Sequence, residues 1–204
     1  MKNKSDHNRR AFIKKVSLGV GALTIVPGRV VFGRPGRVMP SDKVNIAFCG
    51  IGNRGGGILR DFMATGMVNN VAMCDTDMGA KHTLKSLEEY PDVPRFQDFR
   101  VMFDKMSESI DAVVVGTPDF SHFPITILAM SLGKHVYTEK PLTRTFQESE
   151  LLMNAARKYK VATQMGNQGH SDANYFQFKT WVEKGIIKDV TKVVAHMNSS
   201  RRWH

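Results

Sequence analysis

The sequence has few cysteines, no long hydrophobic run and no internal repeat. Its 204 residues include two cysteines, Cys49 and Cys74. Two cysteines define neither a disulfide framework nor a metal site, so we predict no metal and interpret both as small core residues. The uncharged stretch at residues 16–27 would span about 18 Å as a helix, well short of the roughly 30 Å of a bilayer core. The absence of repeats excludes solenoid and propeller architectures.

Acidic residues are scarce only near the N-terminus. Residues 1–43 hold ten basic and two acidic side chains, whereas residues 44–204 hold 19 basic and 17 acidic ones. The formal net charge of +10 therefore comes almost wholly from the N-terminal region. A surface for nucleic acid needs positive charge clustered on the folded domain. We accordingly predict no nucleic-acid binding.

The basic N-terminus followed by an uncharged segment is typical of an export signal rather than of a membrane span. The run Asn-Arg-Arg-Ala-Phe-Ile-Lys at residues 8–14 resembles the twin-arginine signal. The alternative is a disordered basic tail. The resemblance implies the twin-arginine export machinery as a partner and a periplasmic location. Because no small-x-small cleavage site stands out at residues 27–41, the protein could also stay anchored in the membrane facing the periplasm.

The remaining chain alternates short apolar runs with helical patterns. The predicted strands are residues 44–49, 71–74, 112–115, 135–137 and 161–165, and the predicted helices are residues 56–65, 80–89, 99–105, 123–132 and 146–159. Apolar strands separated by helices favour an α/β fold with a doubly wound parallel sheet. In such sheets ligands bind at the carboxyl ends of the strands.

This pattern divides the chain into four parts. We expect a signal at residues 1–27, a linker rich in Gly, Pro and Arg at residues 28–42, and a Rossmann domain at residues 43–165. Residues 166–204 would begin an α+β substrate and oligomerisation domain that is cut short. In that part we expect the apolar residues between 175 and 182 to form core and residues 191–197 to form a strand.

A Gly-x-Gly-x-x-Gly motif joins the first strand to the first helix and predicts a dinucleotide site. Gly50 would permit the tight turn, Gly52 would let the backbone approach the phosphates, and Gly55 would let the helix pack close to the strand. The helix N-terminus offers unpaired N–H groups to an anion. The predicted cofactor-binding residues here are Gly50, Ile51, Gly52, Asn53, Arg54 and Gly55.

Asp75 ends the second predicted strand, where a carboxylate can accept hydrogen bonds from the ribose hydroxyls of adenosine. The same carboxylate would repel a 2′-phosphate, which favours NAD over NADP. Two observations leave alternatives open. Asp75 could instead cap a helix, and Arg54 could reach a phosphate of either cofactor.

Two further motifs follow later strands: Thr117-Pro118 with His122 four residues after the proline, and Glu139-Lys140-Pro141. With the glycine motif, and in this order, they resemble the Gfo/Idh/MocA oxidoreductases. The resemblance covers residues 43–204. It implies a nicotinamide-dependent enzyme that acts on a secondary alcohol of a sugar, polyol or glycoside, and a whole protein that forms homo-oligomers.

The resemblance also implies residue roles. Lys140 would be the catalytic residue that contacts the substrate hydroxyl and exchanges its proton, and a lysine desolvated near a cationic nicotinamide would lose its own proton more readily. Glu139 would lie near the nicotinamide ribose, and the Lys140–Pro141 bond would be cis. The remaining cofactor-binding residues would be Thr117, Pro118 and His122 in the groove, with amides of Asn167 and Gln168 near the nicotinamide.

Two other functions stay open at this point. Some relatives are glycosidases that use tightly held NAD for transient oxidation and elimination, although we expect those to depart from Glu-Lys-Pro. A non-enzymatic nucleotide-binding protein is the other alternative. The resemblance implies that most of the substrate domain would lie beyond residue 204, and we therefore expect the 204-residue chain to bind NAD and to turn over little or nothing.

Overall fold

Six parallel strands form one sheet in the computed structural model, which describes residues 42–194. The strand order is β3-β2-β1-β4-β5-β6, so β1 and β4 lie side by side at the centre, where the direction of winding reverses. This order confirms the predicted doubly wound α/β fold. The strands are β1 (Val44–Cys49), β2 (Val68–Cys74), β3 (Arg95–Phe96), β4 (Ala112–Val115), β5 (His135–Glu139) and β6 (Thr163–Gly166).

Helices connect the strands, and one more helix follows the last strand. They are α1 (Asn53–Ala64), α2 (Lys81–Glu89), α3 (Phe99–Met106), α4 (His122–Ser131), α5 (Phe146–Tyr159) and α6 (Ala173–Glu183). Local sequence explains the start of α5. At α5 the Thr145 side chain accepts a hydrogen bond from the Glu148 N–H while the Glu148 carboxylate accepts one from the Thr145 N–H, a complete capping box.

The central strands of the sheet are buried on both faces. Successive side chains of a strand point to opposite faces, and Phe48 and Cys49 accordingly belong to different apolar clusters. Phe48 packs with Ile58 and Leu59 of α1, and Cys49 lies in the cluster that includes residues of α3, α4 and α5. Helices thus cover both faces of the central strands and fix the positions of the ends of β1 and β4.

Several strand bounds differ from the prediction. The two-residue strand β3 was not expected, β2 begins at Val68, β5 continues to Glu139, and β6 begins at Thr163 and ends at Gly166. Asn69 and Asn70 interrupt the apolar run of β2, so periodicity alone hid its first half. Residues 191–194 form no strand, which contradicts the first part of the strand expected at residues 191–197.

The apolar side chains of α6 are exposed, so their predicted place in a core is wrong for this structure. Trp181 is 40% exposed and Phe176 is 56% exposed, and α6 buries none of its residues. No element within residues 42–194 covers this helix.

Residues 1–41 and 195–204 lie outside the described part of the chain, and with them the predicted signal, nearly all of the linker and the rest of the expected strand. Among the described residues, no helix combines the length and the apolar character needed to cross a membrane.

Candidate nucleotide site

The turn after β1 packs directly against the turn after β4. Gly50 has a φ of +81°, which favours glycine, and a Cβ at this position would lie 2.6 Å from the Gly116 carbonyl carbon and from the Thr117 nitrogen. The N–H of Gly50 donates to the Cys74 carbonyl and that of Gly116 to the Cys49 carbonyl, both at 2.7 Å. These contacts join the carboxyl ends of β1, β2 and β4.

Helix α1 starts immediately beyond this turn. A Cβ on Gly55 would overlap the Gly50 carbonyl oxygen, so glycine here lets the helix approach the strand as expected. No side chain caps α1 at Gly52, and its first turn has no acidic residue. The first N–H groups of the helix and its positive dipole end therefore suit an anion.

The absence of a side chain at Gly52 makes room for the ring of His82, a contact that the sequence did not reveal. A Cβ on Gly52 would overlap Cδ2 of His82, the second residue of α2. The imidazole of His82 thus covers one side of the turn, and its Nε2 lies 3.7 Å from Oδ2 of Asp77. His82 was missed because this contact joins residues 30 positions apart, and no local motif marks it.

The carboxylate of Asp75 braces the glycine turn. Its Oδ2 accepts a hydrogen bond from the Ile51 N–H at 3.0 Å, and its Oδ1 accepts one from the Asp77 N–H at 3.0 Å. The second bond closes a turn at residues 75–77, and the next helix begins only at Lys81, so the helix cap considered from the sequence is not formed. Each carboxylate oxygen has two lone pairs, so both oxygens can still accept a further hydrogen bond.

A cavity of about 510 Å³ runs across the carboxyl ends of these strands. Its volume lies within the usual range of about 300–1,000 Å³ for small-molecule sites. The walls include segments that the sequence singled out separately, and His82, Gln97 and Phe99 add residues that it did not. The predicted residues in the walls include Gly50, Asn53, Arg54, Asp75, Thr117 and Pro118.

Two predicted groove residues after β4 have different surroundings. The hydroxyl of Thr117 is buried without a hydrogen-bond partner among the described residues, and Thr117 lines the cavity. His122 is 1% exposed and does not line the cavity. Its Nδ1 lies 2.6 Å from the Pro141 carbonyl oxygen and its Nε2 lies 2.8 Å from that of Thr117. His122 therefore braces the two loops from behind the groove instead of lining it as expected.

Glu139 and Lys140 are neighbours with opposite exposure. Glu139 is 5% exposed, and its Oε1 lies 3.3 Å from Nε of Arg54. Lys140 is exposed, so the described residues do not provide the desolvation expected for it. The Lys140–Pro141 bond is cis, as the resemblance implied.

The two amide side chains predicted to lie near the nicotinamide have different surroundings. Asn167 is exposed, and Gln168 donates a hydrogen bond from Nε2 to Oε1 of Glu139. Neither lines the cavity described above.

Two groups near the site ionise less readily than usual. The hydrogen bond with Cys74, then burial, raise the pKa of the Cys49 thiol well above its ordinary value. Burial, with a smaller contribution from Glu139, raises the pKa of Tyr137. Both groups therefore stay neutral at physiological pH. No group of three or more metal-ligating side chains occurs within residues 42–194.

These features fit a dinucleotide. The uncapped start of α1 and the guanidinium of Arg54 would hold the pyrophosphate, Asp75 would accept the adenosine ribose hydroxyls, and the unpartnered hydroxyl of Thr117 would meet a polar group further along.

Comparison with known proteins supports this reading. The sequence model of the oxidoreductase family with an NAD-binding Rossmann fold, GFO_IDH_MocA, matches residues 44–167. The α-N-acetylgalactosaminidase of Shewanella oneidensis is 29% identical over 199 residues, which are 92% of this chain and 42% of the relative. The chain spans less than half the length of the curated relatives it matches.

Solved structures share the fold. The myo-inositol 2-dehydrogenase of Lactobacillus plantarum matches with a TM-score of 0.62 and 27% identity over 71% of this chain and 42% of that one. The WlbA dehydrogenase of Bordetella pertussis, solved with NADH and UDP-GlcNAcA, matches with a TM-score of 0.59 and 22% identity over 70% and 42% of the two chains.

Proposed function

The chain belongs to the Gfo/Idh/MocA oxidoreductase family with its NAD-binding Rossmann fold, and from this premise we propose that the whole protein transfers a hydride between NAD and a secondary alcohol. The substrate we propose is a sugar, a polyol or a glycoside. The observation that carries the proposal is the cavity between the turns at Gly50 and Thr117, with Lys140 at the carboxyl end of β5, the strand next to β4.

In this proposal each part of the site has one task. When bound, NAD supplies the hydride acceptor. The start of α1 and Arg54 hold its phosphates, and Asp75 orients its adenosine. Lys140 accepts the proton of the substrate hydroxyl when the alcohol is oxidised and returns it in the reverse direction. Holding substrate and cofactor in line can lower the barrier by roughly 7–11 kcal/mol.

The test is an assay of the whole protein for NADH formation with a panel of polyols, free sugars and glycosides. We expect Lys140→Ala to lower kcat by at least about a hundredfold, the usual contribution of a positioned acid–base group. Lys134→Ala is the matched control, because Lys134 directly precedes β5 at its opposite end. A rate that is unchanged in Lys140→Ala contradicts the proposed role.

A second candidate is an NAD-dependent glycosidase. The similarity to a protein named α-N-acetylgalactosaminidase favours it, whereas the retained Glu139-Lys140-Pro141 motif favours the dehydrogenase. Cleavage of an aryl glycoside without added NAD and without NADH accumulation would select the glycosidase. Nucleotide binding without either activity in the whole protein would select a non-enzymatic binding protein.

We also propose that residues 1–27 direct twin-arginine export to the periplasm, on the strength of the run at residues 8–14. Fusing residues 1–43 to a reporter that functions only after export tests this. Replacing Arg9 and Arg10 by lysine preserves the charge and should abolish export. Export that persists in this variant contradicts the proposal. A homo-oligomer of the whole protein remains a further expectation from the family resemblance.

A further inference from the structure

Glu139 is a buried carboxylate that gathers donors from three segments of the chain. Its Oε1 accepts hydrogen bonds from Nε of Arg54 in α1 and from Nε2 of Gln168 after β6. Its Oε2 accepts one from the Lys140 N–H at 3.2 Å. A buried carboxylate needs such partners, because its charge has lost the solvation of water.

The neighbouring strand β6 leaves space for the Glu139 side chain. Glu139 is in register with Gly166 of β6. A Cβ on Gly166 would lie 2.7 Å from Oε1 of Glu139 and 2.6 Å from the Tyr137 hydroxyl oxygen. The absence of a side chain at residue 166 thus gives the carboxylate a fixed place at the end of the sheet.

Arg54 connects this carboxylate to the nucleotide cavity. Its side chain is 50% exposed and lines the cavity. The contact with Glu139 uses Nε, and the terminal N–H groups of the guanidinium make no hydrogen bond within residues 42–194. Arg54 is the second residue of α1, where the positive helix end disfavours a cation unless an anion is near.

We propose that Glu139 is a positioning residue for Arg54, and that the terminal nitrogens of the Arg54 guanidinium contact the pyrophosphate of the dinucleotide. The Nε bond to Glu139 fixes the plane of the guanidinium, whose remaining donors then form a fork that suits phosphate oxygens. This assignment replaces the contact with the nicotinamide ribose that the family resemblance implied for Glu139. It rests on the proposed use of NAD.

Glu139 could act at the pyrophosphate through Arg54 or at the nicotinamide ribose, and three ligands distinguish these roles. NADH has both groups, ADP has the pyrophosphate but lacks the nicotinamide ribose, and adenosine has neither. The affinities of the 204-residue chain for NADH, ADP and adenosine are measured by calorimetric titration for the wild type, Glu139→Asp, Arg54→Gln and the double variant. Glu139→Asp keeps the charge and only withdraws the carboxylate. Arg60→Gln is the matched control, since Arg60 lies on the same helix and pairs with Glu89 at a similar distance, 3.4 Å.

We expect Glu139→Asp to weaken the binding of ADP and NADH by the same factor, about threefold or more, and Arg54→Gln to weaken both by about tenfold. In the Arg54→Gln background, Glu139→Asp should change neither affinity by more than about twofold, because its effect passes through Arg54. Adenosine binding should stay constant throughout, and Arg60→Gln should behave as the wild type.

Two results would overturn the assignment. The first is that Glu139→Asp weakens NADH binding but not ADP binding, which would place Glu139 at the nicotinamide ribose. The second is that Arg54→Gln weakens adenosine binding as much as ADP binding. Arg54→Lys, at a half-exposed position, gives a further check: it should lose ADP affinity because its single ammonium cannot bridge both anions. All of these experiments measure binding and not turnover. The role of Glu139 can therefore be judged even if the proposed hydride transfer is wrong.

Discussion

The carboxylate of Asp75 accepts a hydrogen bond from the backbone N–H of Ile51 at 3.0 Å. The residue that the sequence assigned to cofactor choice therefore also fixes the glycine turn that would hold the phosphates. A substitution at residue 75 acts on both, so cofactor preference is best tested by changing the ligand and leaving the protein intact.

The tight turn at Gly50 should tolerate no side chain. Gly50→Ala combines a φ of +81° with contacts of 2.6 Å to backbone atoms of Gly116 and Thr117. We expect the free energy of unfolding in urea to fall by about 3 kcal/mol and NADH binding to be lost. Gly57→Ala is the control, because it lies within α1 at a negative φ with nothing within 4 Å of its Cβ. The control should be more stable by about 0.4–1 kcal/mol. Equal effects of the two substitutions would contradict the tight-turn interpretation.

Because Gly52 lies against the His82 ring, removing that ring should relieve the destabilisation caused by a side chain at residue 52. Gly52 has ordinary extended backbone angles, so the obstacle to alanine is the His82 ring rather than backbone strain. Gly52→Ala should cost about 1 kcal/mol of unfolding free energy in the wild type and much less in a His82→Ala background. Chemical denaturation of the four proteins measures the coupling. Additive effects would show that the ring does not lie over Gly52 in solution.

Stability should fall at alkaline pH because of Cys49. Its pKa is raised in the folded protein, so above about pH 8.5 the unfolded chain loses this proton while the folded chain keeps it. The unfolded state then binds fewer protons, and the unfolding free energy decreases by up to about 1.4 kcal/mol per pH unit until the folded pKa is reached. Below about pH 8.5 the contribution is constant.

Cys49→Ala should remove this part of the slope, as measured by urea unfolding between about pH 8 and 10. The raised pKa values of Tyr90 and Tyr137 act in the same direction at higher pH, so a smaller slope should remain near the upper end. An identical slope in the variant would contradict the assigned cause.

The sequence predicted the architecture well where local patterns decide it. The bounds of β1 and β4 match the prediction, because each is an apolar run beside clear turn residues. β3 was missed because its two residues pair only with the end of β2, and so tertiary contact forms it rather than periodicity.

The site was predictable in composition but not in the partners of its side chains. The glycine turn and the cis bond at Lys140–Pro141 agree with the prediction. The burial of His122 between two carbonyls and the approach of His82 to Gly52 join segments distant in the sequence, and no single motif encodes either contact. The aromatic residues of α6 show the same limit, since helical spacing says which face is apolar but not whether anything covers it.

The cavity at the carboxyl ends of β1 and β4 should bind NAD and discriminate against a 2′-phosphate through Asp75. The test is a titration of the 204-residue chain with NADH and with NADPH, followed by the fluorescence of the reduced nicotinamide. For two unit charges about 4 Å apart near a protein surface, where the effective dielectric constant is about 20, repulsion is about 4 kcal/mol, and a tenfold change in affinity needs only about 1.4 kcal/mol. We therefore expect saturable NADH binding that is at least about tenfold tighter than NADPH binding. The absence of saturable NADH binding, or equal or tighter binding of NADPH, would contradict the account.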